Sequence, residues 1–149
     1  MALLNGIGHV IAKEGLLDRA FIDARTEAVD DWLKAVEPCT PEWTEQITGV
    51  PADLIRGAAR LYATSGASFC VHGLGVTEHR WGSHGVMALV DLALATGNLG
   101  KPGTGINPLR GQNNVQGASD VGCLPTFFTG YQALNDPALG SLHQAVTGR

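Results

Sequence analysis

The sequence predicts an α/β architecture, and three observations carry that expectation. Amphipathic helical spacing recurs through residues 2–64, and a short apolar run at 68–72 breaks it between turn signals. A glycine- and amide-rich stretch then follows a strongly apolar helix. Helix, strand, glycine-rich turn and buried helix, in that order, form an α/β half-unit with a ligand expected at the strand's carboxyl end.

The elements follow in order. Residues 2–14 place Leu3, Leu4, Ile7, Val10 and Ile11 three and four apart, one face of a helix that Gly15 suits as its stop. Short helices are expected at 18–24 and 29–36. Pro38 and Pro41 punctuate the chain, with Pro41 in the first turn of a helix capped by Thr40. Pro51 opens the next helix, whose expected buried face is Leu54, Ile55, Ala58, Ala59, Leu61 and Tyr62, and Ser65-Gly66 ends it. The run 68–72 reads as a buried strand and 73–82 as a loop. Ser83 is the expected cap of a helix reaching Ala95. That helix is apolar nearly all round (Val86, Met87, Leu89, Val90, Leu92, Leu94) and is therefore expected to be buried. Gly97-Asn98 supplies its stop, and no internal repeat is visible.

Composition narrows the function classes. At 149 residues with 44% hydrophobic and 16% charged positions, the chain is long enough for one modest domain. A net charge of −4 without a basic patch argues against nucleic acid. No apolar run approaches a membrane span, and the opening residues lack the features of a signal peptide. Cys39, Cys70 and Cys123 are too far apart for a CxxC pair, so reduced thiols in a cytoplasmic protein are expected.

Residues 96–122 carry seven glycines, four asparagines, two glutamines, one Lys and one Arg in 27 positions. Glycine permits close backbone approach, and Arg and amides supply donors and acceptors of set geometry, which suits a large, polar, multi-ring ligand. Within the stretch, Arg110, Gln112, Asn113, Asn114 and Gln116 form the sharpest constellation. A planar guanidinium grips a carboxylate through two parallel bonds. The alternative is a structural ion pair with amides capping loops.

Gly73-Leu74-Gly75-Val76-Thr77-Glu78 begins as a dinucleotide fingerprint does, but Glu78 stands where the third glycine belongs, which argues against a nicotinamide site. The turn either lets a nucleotide or pterin approach the backbone or is a plain tight turn. Gly97-Asn98-Leu99-Gly100-Lys101-Pro102 has two residues between its glycines and Pro after Lys, so it is no Walker loop. Its glycines, with Gly103 and Gly105, are read as shaping a loop against the ligand. His84 is either an active-site base or a helix N-terminal residue, the second being favoured, while His72 and His79 have no assigned role. No three-ligand metal spacing occurs, and Trp32, Trp43 and Trp81 are read as packing residues.

The run TGNLGKPGTGINPLRGQNNVQGASDVG closely resembles the corresponding stretch of molybdenum- or tungsten-dependent formate dehydrogenase catalytic subunits. These are molybdopterin oxidoreductases that carry a bis(molybdopterin guanine dinucleotide) cofactor. ALLNGIGHVIAKEGLLDRAFIDART, CTPEWTEQITGVPADLIRGAARLYA and GLGVTEHRWGSHGVMALVDLALATGN fit the same subunits in the same order, covering about residues 1–137. The resemblance implies partial Rossmann-like cofactor-binding domains. By it, Arg110 matches the arginine that orients formate beside the metal, and Gln112 a glutamine that hydrogen-bonds the pterin. Leu74 and Glu78 match cofactor-contacting positions, although many relatives carry Gln at the latter. Gly73, Gly75, Gly97 and Asn98 complete the expected cofactor-binding set.

The implied parent reaction oxidises formate to carbon dioxide, with electrons leaving through 4Fe–4S clusters and electron-transfer subunits. The family's four-cysteine cluster segment and its Cys- or selenocysteine-bearing segment have no counterpart here, so this segment is expected to ligate neither metal nor cluster. An internal fragment is expected: residues 1–110 would end one α/β cofactor-binding domain and 111–149 would begin the return into a neighbour. Both termini fall within continuing patterns, the last at 145–149 without a cap. The remaining catalytic-subunit segments become expected partners, and the isolated fragment is expected to be inactive. Two other readings stand beside this one: a different family member, such as a nitrate reductase, or a truncated, non-catalytic remnant.

Overall fold

In a computed structural model, which describes residues 1–139 and 144–145, the chain divides into two compact units, Met1–Leu109 and Arg110–Arg149. Residues 140–143 and 146–149 lie outside the described residues, and with them most of the uncapped stop expected at 145–149.

The first unit opens with the helices that the spacing predicts. Helix α1 (Ala2–Lys13) ends where Gly15 turns to φ +69° and Leu16 N–H reaches back to the Ile11 carbonyl at 3.0 Å. Helix α2 (Arg19–Arg25) is capped by Asp18, whose Oδ1 accepts from Phe21 N–H at 3.0 Å. Helix α3 spans Val29–Val36. Helix α4 (Pro41–Thr48) has the expected Thr40 cap, with Oγ1 accepting from Trp43 N–H at 3.2 Å. Helix α5 covers Ala52–Thr64. Strand β1 (Phe69–His72), helix α6 (Leu74–Thr77), helix α7 (Gly82–Ala95) and strand β2 (Gly105–Pro108) complete the unit.

Helix α1 is the central element and packs against α3, α4, α5 and α7. Its Val10 and Ile11 form the core with Ala59 of α5 and Leu92 of α7, flanked by Leu4, Ile7, Leu16, Leu17, Trp32 and Tyr62. Burying a side chain the size of Ile11 contributes about 1.5–3 kcal/mol.

Four expectations change. The buried face of α5 is narrower than its apolar content suggests: Ala52, Ile55 and Ala59 are buried, whereas Leu54 and Leu61 are 64% and 70% exposed and Ala58 is exposed too. Leu54, Ala58 and Leu61 form a second stripe at i, i+4 and i+7, rotated away from α1. Strand β1 is not buried, because β2 is its one hydrogen-bonded neighbour among the described residues and Phe69 and Val71 face outward. Helix α7 buries Leu89, Leu92, Ala93 and Ala95 but exposes Met87, so its all-round apolarity exceeds what this unit covers. It also begins at Gly82, with Trp81 as an uncapped N-cap, so Ser83 lies inside the first turn. Gly85 N–H already bonds the Trp81 carbonyl at 3.0 Å, which closes the helix ahead of Ser83.

Two stretches expected to be irregular are ordered. Residues 73–82 contain the single turn α6, closed by Val76 N–H on the Gly73 carbonyl and Glu78 N–H on the Leu74 carbonyl. A Cβ at Gly82 would collide with the Thr77 backbone carbonyl, so only glycine lets α6 fold directly against α7. The amide-rich stretch contributes β2, parallel to β1, with Phe69 opposite Gly105 and His72 opposite Pro108. In the second unit it contributes helix α8 (Val115–Asp120). Strands β3 (Phe127–Phe128) and β4 (Gln132–Ala133) follow as an antiparallel pair.

Truncating the two stripes of α5 should separate them. Ile55→Ala should cost about 2–4 kcal/mol in urea denaturation, and Leu61→Ala about 0.5 kcal/mol or less. Equal costs would mean that the Leu61 stripe is packed after all.

Candidate functional site

Parallel pairing positions the candidate turn of the first unit. Because β1 and β2 run together, His72 and Pro108 end side by side, and Leu109 N–H bonds the His72 carbonyl at 2.7 Å. The Gly73 turn and the Leu109 backbone therefore leave the sheet from one carboxyl edge, the position where open α/β sheets place ligands.

The turn itself is bare. Leu74, Gly75 and Glu78 are exposed, and space is open within 4 Å of where a Cβ on Gly75 would stand. The His79 ring braces it, with Nε2 at 2.6 Å from the Gly75 carbonyl oxygen. His79 thus acquires a structural role that spacing did not reveal. His72 is 8% exposed, and its buried Nδ1 has no hydrogen-bond partner. An orphaned polar atom beside an uncovered glycine turn fits a polar ligand better than a closed, self-satisfied loop. Burial pushes the thiol of neighbouring Cys70 up, which favours its neutral form; Cys39, Cys70 and Cys123 are all free.

Gly97 and Asn98 behave differently from the other expected cofactor-binding residues. Gly97 adopts φ +61° directly against the Asp18 carboxylate, so a side chain there would strain the backbone and displace the cap of α2. Asn98 is 3% exposed and its amide is engaged on three sides. Its Oδ1 accepts from Ser68 N–H at 2.9 Å, while Nδ2 donates to Thr96 Oγ1 at 2.9 Å and to the Tyr62 carbonyl at 3.3 Å. This side chain belongs to the interior, with both hydrogens of its amide engaged, and its expected cofactor contact stays a proposal. Its type was legible as ligand-like, but its direction depends on contacts remote in sequence.

The second unit holds Arg110 and Gln112, both exposed. Arg110 Nη2 donates to Gln116 Oε1 at 3.1 Å. Gln116 Nε2 in turn donates to Asp120 Oδ1 at 3.2 Å and to the Tyr131 hydroxyl at 2.8 Å. Arg56 and Arg60 of the first unit face carboxylates, Glu42 with Asp53 and Glu14 respectively. Arg110 has no carboxylate partner among the described residues; its partner is a neutral amide. Among the described residues, then, an amide rather than the ion pair weighed from sequence holds it. Asp120 and Tyr131 escaped sequence reasoning. The Gln116–Asp120 spacing of four was a usable helical signal, whereas Tyr131 gave none.

Two of the three tryptophans differ from expectation, whereas His84 stands where the helix reading puts it. Trp81 is 54% exposed rather than packed, with Arg80 lying 5.3 Å from its ring centroid and the His84 ring edge-on at 5.4 Å. His84 sits in the first turn of α7. Trp43 is 41% exposed, while Trp32 packs against the core as expected. Among the described residues, no three His, Cys, Asp or Glu side chains cluster to hold a metal, and no helix is long and apolar enough to cross a membrane.

Comparison with known proteins gives this geometry a context. A family model described as Molybdopterin oxidoreductase matches residues 1–145. Formate dehydrogenase H of Escherichia coli is 53% identical over 138 residues, covering 93% of this chain and 19% of that protein. The F420-dependent formate dehydrogenase 1 subunit alpha of Methanococcus maripaludis is 46% identical over 134 residues, 90% of this chain and 20% of the relative. Probable oxidoreductase YjgC of Bacillus subtilis is 36% identical over 145 residues, 97% and 15% of the two lengths. The chain spans about a fifth or less of these relatives.

Asn98→Ala should destabilise the protein by about 2–4 kcal/mol in denaturant titration, since it strips hydrogen bonds from three elements at once. A stability change within about 0.5 kcal/mol would mean that these bonds do not hold the interior together.

Proposed function

Because the chain belongs to the molybdopterin oxidoreductase family, we propose that it is a segment of a formate dehydrogenase catalytic subunit. The parent enzyme converts formate to carbon dioxide, with loss of one proton and two electrons. The observation that carries the reading is Arg110: an exposed guanidinium oriented by a neutral amide, with no carboxylate on it among the described residues. Such a group keeps its charge available for the smallest carboxylate, and its planar fork matches the two oxygens. Relatives named as formate dehydrogenases support the substrate class.

The first unit suits the cofactor side of that chemistry and is read as part of a Rossmann-like domain. Gly73 and Gly75 admit close backbone approach, Leu74 offers an apolar surface and Glu78 a hydrogen-bond acceptor. Gln112 in the second unit supplies an amide suited to a pterin edge. We assign the cofactor as bis(molybdopterin guanine dinucleotide) with molybdenum or tungsten, which when bound supplies the two-electron acceptance that formate oxidation requires. Iron–sulfur clusters held by other segments and electron-transfer subunits complete the proposal, and the enzyme is placed in the cytoplasm. Arg110 is assigned to bind and orient the carboxylate, Gln112 and the Gly73 turn are each assigned cofactor contacts, and Gly97 shapes its own loop.

Steady-state kinetics on the full-length enzyme, with cofactor content measured alongside, test the assignment. Arg110→Ala should lower kcat/KM by roughly 30- to 900-fold, on the order of 2–4 kcal/mol, at unchanged cofactor loading. Arg110→Lys should recover part of that loss by keeping charge without the fork, and Gln112→Ala should lower cofactor retention instead. Undiminished efficiency in fully loaded Arg110→Ala would make the arginine structural and end the reading.

A further inference from the structure

Helix α8 places Gln116 and Asp120 four residues apart, on one face. The three hydrogen bonds at Gln116 then have a forced polarity. An ionised Asp120 carboxylate only accepts and the Arg110 guanidinium only donates, so a single amide orientation satisfies both. In the flipped orientation, NH2 would face the guanidinium and the amide oxygen would face the carboxylate. Tyr131 adds a second restraint through its hydroxyl. It holds φ +60°, a left-handed conformation rare for a bulky side chain, and its ring lies edge-on to Phe127 at 6.1 Å. Strain of this kind persists where surroundings over-determine it and clusters at functional sites.

From this geometry we infer that Gln116 is a positioning residue: a neutral spacer that aims the Arg110 fork while keeping the Asp120 charge from pairing with it. The inference rests on the carboxylate-binding role proposed for Arg110 and deepens it. A carboxylate in place of Gln116 would orient the guanidinium equally well but would occupy it. An apolar side chain would leave the charge free but unaimed. Gln116 meets both needs because its acceptor is uncharged and its orientation is set from behind by Asp120 and Tyr131.

The experiment uses the full-length enzyme at matched cofactor content. It measures KM and kcat for formate, together with the inhibition constant of acetate as a non-reacting carboxylate. Gln116→Leu should raise the formate KM and the acetate constant roughly five- to tenfold, with kcat changed less. Gln116→Glu, nearly isosteric, should raise both further. The rise should fall on KM and the acetate constant rather than on kcat, because the new carboxylate pairs with the guanidinium and competes with the substrate anion. Should Gln116→Leu fail to fold, Gln116→Glu decides alone: both constants raised beyond about tenfold with kcat changed less support the role, and constants within about twofold of wild type overturn it. If Arg110→Ala weakens both constants while both Gln116 variants stay within about twofold of wild type, Gln116 does not position the arginine and this inference falls by itself. If Arg110→Ala leaves both constants unchanged, the carboxylate reading falls and takes this inference with it.

Discussion

One buried amide organises the first unit. Asn98 ties the end of α5, the approach to β1 and the end of α7 through Tyr62, Ser68 and Thr96. Thr96 is itself anchored to the Leu92 carbonyl at 2.7 Å, and Ser68 Oγ to the Tyr62 carbonyl at 2.7 Å. A fully satisfied polar cluster of this kind specifies one arrangement, because any shift leaves a buried group unpaired. With those three ends joined, β1 can run in only one place. The parallel partner β2, and the turn after His72, follow from it.

The charge logic of the second unit is simpler. An exposed arginine beside an aspartate would ordinarily pair with it, and such pairs stabilise little at a surface. Here an amide stands between them, so the guanidinium is held without being neutralised. In the first unit, Arg56 and Arg60 close directly on carboxylates and serve the helical body. The same residue type performs opposite tasks because its partner differs by one functional group.

Exposed apolar surface also has a pattern. Leu54 and Leu61 on α5, Phe69 and Val71 on β1, and Met87 on α7 are all uncovered. These same residues led the sequence to predict a wider α5 face, a buried strand and a fully enclosed helix. Among the described residues nothing covers them. Periodicity marks which positions share a face, and only the packing decides whether that face is covered.

The sequence by itself determined helices α1 to α5 and α7 and the cap at Thr40. It also determined the stop at Gly15 and the residue types that suit a polar ligand and a carboxylate. Those features are local: a cap bonds within three residues, and helical periodicity repeats within seven. Pairing of β1 with β2 spans more than thirty residues, so the strand inside the amide-rich stretch was invisible without it. The inward turn of Asn98 was equally hidden, because an amide's partners, not its type, decide whether it faces a ligand or the core. The tertiary structure also decided how Arg110 is held: Tyr131 reaches Gln116 from fifteen residues away, through a strained backbone that no spacing rule encodes.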